Sequence, residues 1–369
     1  MTGSAKSGAL NAAGRREFLR KALVSAAVLP VYLKEQRARF RANLGGFAWQ
    51  AAPPKDVGKE PITSNSDFFV RNHFGSPKID AEAWSLTVDG MAATPLRLSY
   101  SDLLLLPSFR RPLTFECAGN LSGGIGVGNA AWSGLSLADL LKRAGIQAGV
   151  TTIVFHGADS GDGEGVPANT HFARAIPLDK AMDPSTLLAY EMNGSPLPAD
   201  HGFPLRALVP GWYGMDSVKW LTHIELTNQP FDGYFQWKQY VALNGEERRP
   251  VTRMLVNSKF RRPSEDEEIH SKRYLLEGLA WAGERKIAKV EVRIGPGAAW
   301  QTAELTASPA ALIWTPWSYD WHIPAPGHYT LEVRATDDEG RTQPDNRDSG
   351  RQDAYELNTP HRLAVTVRS

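Results

Sequence analysis

A single cysteine, Cys117, occurs in the 369 residues of the chain. No intramolecular disulfide can form, so packing and hydrogen bonds alone must hold the fold. The same count excludes an iron–sulfur cluster held by several thiolates and a CxxCH haem attachment, since each needs more than one cysteine. A lone cysteine is more often a small buried hydrophobe than a reactive thiol. Composition by itself therefore leaves Cys117 as packing.

Stability without covalent staples needs a sizeable core. The length, with 42% hydrophobic residues, suffices for two domains with separate cores. Basic and acidic residues number 41 and 40, a formal net charge of +1, so nothing in the charge asks for nucleic acid or an anionic membrane. The 33 glycines and 25 prolines lie among short Val/Ile/Leu runs, which points to a loop-rich, strand-rich chain.

Periodicity divides the chain in two. From about Ser66 to Pro230, strands and short helices mix. Trp84 to Gly90 alternates as a strand entering a turn. Ser99 is placed to cap a short helix through Leu106, which Pro107 ends. Leu135 to Ala144 has helical spacing, and Gly145 suits its C-cap. Thr151 to His156 and Val218 to Leu226 read as strands. From about Ser271 to Val367, the segments 274–281, 287–294, 328–335 and 362–367 are predicted strands separated by turn residues, as a β-sandwich requires. A polar junction covers 261–268. The expected organisation is an α+β domain over residues 60–250 followed by an all-β sandwich over 265–369.

The N-terminus reads as an address. Gly14-Arg15-Arg16-Glu17-Phe18-Leu19 precedes an apolar stretch from Ala22 to Leu33. That is the pattern of a twin-arginine export signal. The stretch is too short to span a bilayer comfortably, and the chain turns strongly charged from Lys34 to Arg41. Residues 1–45 are thus expected to be an export signal and linker, and the location periplasmic. The route carries folded proteins, which suits a cofactor inserted before export.

Four clusters carry candidate chemistry: Phe68-Phe69-Val70-Arg71-Asn72-His73, Phe115-Glu116-Cys117-Ala118-Gly119-Asn120, His201-Gly202-Phe203-Pro204-Leu205-Arg206 with Val209-Pro210-Gly211, and Val218-Lys219-Trp220-Leu221. Arginine, histidine and lysine among glycine and proline turns suit a bound phosphate, because guanidinium forks, imidazole N–H and backbone amides all donate to oxygen. A thiolate beside several cations is expected to have a lowered pKa and to be a good soft-metal ligand.

These clusters, in order and spacing, resemble the molybdopterin domain of the sulfite oxidase and assimilatory nitrate reductase family. Leu188-Ala-Tyr-Glu-Met-Asn-Gly194 adds to the match. The C-terminal unit resembles that family's immunoglobulin-like dimerisation domain through Gly278-Leu-Ala-Trp281, Val290-Glu-Val-Arg293, Trp300, Arg334-Ala-Thr-Asp337 and Gln343-Pro344. The resemblance covers roughly residues 60–369 and reverses the packing reading of Cys117.

It implies a molybdenum cofactor, with Cys117 as the protein ligand to the metal. It implies that Phe69, Asn72, His73, Asp159, His201, Arg206 and Lys219 hold the pterin and its phosphate, that Arg71 reaches the substrate and that Tyr240 is the active-site tyrosine. The activity implied is oxygen-atom transfer on sulfite or a related small sulfur oxyanion. Electrons would pass to an external acceptor, a c-type cytochrome being the simple choice, and a homodimer is expected.

The match departs from the family where arginines usually follow the Cys-Ala-Gly-Asn motif. Here Leu121-Ser122-Gly123-Gly124 carries no charge. A further pocket arginine from the C-terminal domain is expected near Trp314-Thr315-Pro316-Trp317, and that stretch carries none. Two alternatives follow: a molybdoenzyme acting on another small substrate, such as an S-oxide or N-oxide, or a metal-free binding module that kept the fold.

Overall fold

A computed structural model describes residues 61–163 and 166–369; the twin-arginine segment and linker expected over 1–45 lie outside the described residues. The first domain holds two five-stranded sheets and a two-stranded hairpin, Val241–Asn244 with Glu247–Pro250. One is ordered Leu96–Ser99, Ser85–Gly90, Leu221–Thr227, Thr152–Gly163, Val166–Pro177. Its only parallel neighbours are Ser85–Gly90 and Leu221–Thr227. The other runs Phe109–Glu116, Val127–Ser136, Leu187–Met192, and the last of these also pairs with Ser195–Pro196 and Arg206–Leu208.

Local chemistry explains the helices. Ser99 accepts from the Asp102 amide while Asp102 accepts from the Ser99 amide, a reciprocal capping box at the start of helix Tyr100–Leu105. Helix Leu137–Ala144 starts two residues later than its periodicity suggests. Leu135 still belongs to strand Val127–Ser136, and the Ser136 hydroxyl caps the helix by accepting from the Asp139 amide. Gly145 closes it with a φ of 73°, a conformation that a side chain would resist.

Strand Val127–Ser136 is buried at all ten positions. A strand covered on both faces is a rigid support. Its partner Phe109–Glu116 is laid along it in register from Phe109 opposite Gly134 to Glu116 opposite Val127, and so delivers Cys117 at a fixed point. The strand predicted from Val218 begins instead at Leu221, because Trp220 adopts a positive φ of 50° that breaks the extended run.

The second domain is all-β, two sheets face to face. One is ordered Asn257–Arg262, Arg273–Trp281, Thr315–His322, Glu304–Leu305; the other Glu268–Ile269, His361–Val367, Gly327–Asp337, Ile287–Ile294, Gln301–Thr302. Leu276, Trp317, Val290, Leu331 and Val333 fill the space between them. Strand Asn257–Arg262 already pairs with Arg273–Trp281, so the sandwich takes in residues on the N-terminal side of the polar junction at 261–268. Strand Thr315–His322 is not among the predicted ones; its proline, Pro316, and its aspartate mask an alternation that places Trp317 and Trp321 inward.

Candidate active site

Cys117 sits where strand Phe109–Glu116 ends in a tight turn. Its amide donates to Gly126 O at 2.8 Å, and its carbonyl accepts from the Asn120 amide at 2.9 Å. The preceding residue anchors the turn from below. Glu116 is buried and accepts from Asn120 Nδ2 at 3.0 Å, Asn257 Nδ2 at 3.1 Å and Trp281 Nε1 at 2.9 Å. Two of those donors belong to the second domain, so the metal-ligand candidate is fixed by both. Burial pushes the Glu116 carboxyl up to about 7, and the three hydrogen bonds work against that rise.

A cleft of about 690 Å³, counting its open mouth, lies against Cys117. All ten residues that the sequence singled out face it: Phe69, Arg71, Asn72 and His73 from one segment, Cys117 and Asp159, His201 and Arg206, Lys219, and Tyr240. They come from six places in the chain, brought together by the two sheets of the first domain. Reasoning from sequence missed others, among them Phe172 and the run Gly214-Met215 with Ser217. The latter lies between two clusters that were noticed, and that position was the only available signal.

Two cations, Arg206 and Lys219, line the cleft. Arg206 is buried and its guanidinium has no carboxylate partner among the described residues. It donates to His201 O at 3.0 Å and Ser217 O at 3.1 Å, rests 5.0 Å over the Trp132 ring, and leaves Nε unpartnered. Burial alone pushes it down to about 9. Lys219 donates to Asn72 Oδ1 and to Asp200 O at 2.8 Å; burial first and then Arg206 push it down to about 7. The neighbouring Asp159 is also buried with Oδ1 unpartnered, and burial pushes its carboxyl up to about 6. Two cations held at this cost, with unused donor and acceptor atoms, make a cradle for a polar anion that brings its own negative charge. A pterin carrying a phosphate has that chemistry, and these residues fit it.

His201 closes the cradle from behind: its Nε2 lies 3.0 Å from Asn65 O, which fixes the ring, and burial lowers its pKa. Trp220 supports Lys219 at 4.3 Å and donates Nε1–H to Ala199 O at 2.8 Å.

The same cleft also holds Arg71, whose side chain is exposed, and the pair His73 and Tyr240. His73 Nε2 and the Tyr240 hydroxyl are 2.7 Å apart. Burial, then Arg71, Lys219 and Arg174 push His73 down to about 4, while burial first and then the neighbouring Cys117 raise Tyr240. At neutral pH the imidazole is neutral and the phenol protonated, so the tautomer with its proton on Nδ1 accepts from Tyr240.

Tyr240 follows a single π-helical turn, Phe235–Gln239. Such turns recur at functional sites. Arg174, fully buried, pins this one: it donates to Phe235 O and, at 3.0 Å, to Val251 O, pairs with Asp216 at 2.6 Å, and lies 5.8 Å from the Tyr240 ring. Nothing in the sequence around Arg174 marked it.

Two expectations are corrected. The Cys117 thiol is raised, not lowered: burial outweighs the Gly119 amide hydrogen bond and the Arg71 charge. And Trp314 to Trp317 do not meet the cleft. Trp314 packs with Val127, Leu279 and Trp281, and Trp317 lies in the sandwich core. The second domain approaches the site through residues 351–359 instead, where the Glu356 amide donates to Ala118 O at 3.0 Å.

Comparison with known proteins agrees with this architecture. The model of the oxidoreductase molybdopterin binding domain matches residues 73–235, and that of the Mo-co oxidoreductase dimerisation domain matches 248–367. The mitochondrial sulfite oxidase of Homo sapiens is 33% identical over 330 residues, covering 79% of this chain and 59% of that protein. An NADH nitrate reductase of Brassica napus is 32% identical over 347 residues, 81% of this chain and 38% of that protein. The chain thus spans 59% or less of the length of these curated relatives. The crystal structure of the sulfane dehydrogenase SoxCD from Paracoccus pantotrophus superposes with a TM-score of 0.74 at 24% identity, over 90% of this chain and 92% of that chain, a likeness of fold. With the matched domain pair, the identities along most of its length and the cleft built around Cys117, the chain belongs to the sulfite oxidase family of molybdopterin-binding oxidoreductases.

Proposed function

We propose that the chain is a periplasmic molybdenum-cofactor oxidoreductase that oxidises sulfite or a related small sulfur oxyanion and passes the electrons to an external acceptor. The observation that carries this is the meeting, in one cleft, of the buried cations Arg206 and Lys219, a half-buried thiol at Cys117, and the exposed guanidinium of Arg71. When bound, the cofactor supplies the two-electron, oxygen-transferring chemistry.

The chain's own residues do the rest. Cys117 Sγ would hold the metal, its thiol giving up the proton that burial otherwise retains. Arg206, Lys219 and His201 bind the phosphate end, with Asp159, Asn72, His73 and Phe69 along the pterin. Arg71 draws in the substrate anion, and nothing among the described residues competes for its guanidinium by a hydrogen bond. Tyr240 holds a proton at its hydroxyl and shares it with His73 Nε2. A c-type cytochrome is the acceptor proposed, and the second domain the surface for a homodimer.

Arg71→Gln is expected to raise the KM for sulfite by about tenfold to a hundredfold, since a charge-assisted contact contributes about 1.5–3 kcal/mol. Steady-state kinetics with an artificial electron acceptor check it. An unchanged KM would place the anion elsewhere.

The route to the periplasm rests on Arg15 and Arg16 before the apolar run. Arg15→Lys combined with Arg16→Lys should leave active holoprotein in the cytosol, as read by activity after fractionation. Full periplasmic activity in the double variant would sink the export reading.

A second reading has one observation behind it. The loop after the Cys117 turn carries no charged side chain of its own, with Leu121 and Ile125 exposed, Ser122 bonded to Thr359 at 2.9 Å, Gly123 packed on the His361 ring and Gly124 O accepting from Lys259 at 3.2 Å. A less charged substrate, such as an S-oxide or N-oxide undergoing reduction, would suit a site without the usual arginines after Cys117. Protein inert to sulfite but fast on a neutral S-oxide would favour it, whereas purified protein without molybdenum would favour a binding module.

A further inference from the structure

Between strands Gly327–Asp337 and His361–Val367 the chain leaves the sandwich and lies across the first domain as a strap. Its anchors are specific. The Gln352 amide donates to Leu243 O at 2.9 Å, and the Leu243 amide to Asp353 Oδ2 at 2.8 Å. Glu356 receives both guanidinium nitrogens of Arg249 at 3.0 and 2.7 Å and Arg351 at 2.9 Å, while its own amide reaches Ala118 O. Glu356 is buried and holds a positive φ of 57°, backbone that a non-glycine residue adopts only where its surroundings insist. The strap therefore grips both the turn that carries Cys117 and the hairpin Val241–Pro250 that follows Tyr240.

Tyr355 is the residue this strap presents. Its amide donates to Asp353 Oδ1 at 2.9 Å, and its carbonyl accepts from Arg347 and Arg351 at 3.3 Å each, so its backbone is clamped on both sides. Its ring centroid lies 5.2 Å from that of Tyr240. Tyr355 packs on Tyr240, which lines the cleft, and its phenol also meets the side chain of Gln239. It is only partly buried, and burial raises its pKa, which keeps the hydroxyl a donor at neutral pH.

We propose that Tyr355 is a specificity-determining residue, lent to the site by the second domain, whose hydroxyl donates to an oxygen of the substrate anion held by Arg71. This rests on the reading of the cleft around Arg71 as an oxyanion site. The loop Leu121-Ser122-Gly123-Gly124 brings no cation there, so Arg71 is joined by two phenols, Tyr240 and Tyr355. Phenols stabilise an oxyanion by hydrogen bonding without adding charge, and the clamp on Tyr355 removes the entropy cost of holding its donor in place.

The test compares Tyr355→Phe with Arg71→Gln in molybdenum-loaded protein. Tyr355→Phe keeps the ring that packs on Tyr240 and removes only the hydroxyl. Two quantities are read: the KM for sulfite, and the Kd of the resting protein for inorganic sulfate by calorimetry, with molybdenum content as a control on loading. The expected result is a rise of about tenfold in both constants for Tyr355→Phe, with molybdenum content and kcat close to wild type. If Arg71→Gln raises both constants and Tyr355→Phe raises neither, the strap tyrosine is an anchor only and the proposal falls while the oxyanion site stands. If neither variant moves either constant, the oxyanion site itself is misplaced, and the tyrosine proposal falls with it.

Discussion

Cys117→Ser is expected to leave a folded protein that does not turn over. The turn around position 117 is held by backbone bonds to Gly126 and from Asn120 and by the Glu116 anchor beneath, none of which involves the thiol. Serine fits the same space. A hydroxyl is a harder donor and does not ionise at neutral pH, so it cannot replace a thiolate on molybdenum. Loss should fall on turnover and on the thiolate-to-molybdenum absorption, with thermal unfolding close to wild type. Full activity with unchanged absorption would show that the ligand is another group.

The second large effect lies behind the cleft. Arg174→Met should destabilise the first domain by about 3–5 kcal/mol, because removing one partner of a buried ion pair leaves the other charge uncompensated. Asp216 has no exposed surface to fall back on; burial pushes its carboxyl up and Arg174 is the opposing charge. The carbonyls of Phe235 and Val251 lose their donor at the same time. Denaturant unfolding measures the loss. The double variant with Asp216→Leu should recover part of it, since two apolar groups in place of a buried pair remove the stranded charge. A double variant no more stable than the single one would show that the cost is lost packing and lost carbonyl partners, not a stranded carboxylate. Because Arg174 pins the turn that leads into Tyr240, the single variant should also lower kcat in whatever folded fraction remains.

Much of the local structure was legible in the chain. The Ser99 cap, the glycine end at Gly145 and strand Ile287–Ile294 follow from interactions within a few residues, and the structure has them. Boundaries moved where tertiary pairing competed: Leu135 has helical spacing, yet its partner Leu188 across the sheet keeps it in a strand. The cleft gathers the residues named from sequence because the motifs that mark them keep their order along the chain. Arg174 and Tyr355 stayed invisible, since an arginine in a strand and a tyrosine in a loop carry no local sign of what they meet.

By itself, the sequence determined the family, the two-domain order and the set of side chains available for chemistry, because these depend on residue types, spacing and periodicity. The tertiary structure alone decided how those side chains behave. It raised the Cys117 thiol where neighbouring cations suggested a lowered one, left Arg206 without a carboxylate, and brought the second domain to the site through Tyr355 and Glu356, not through Trp314 to Trp317. The reason is physical. Desolvation and pairing are set by every atom packed around a group, and most of those atoms come from segments distant in the chain.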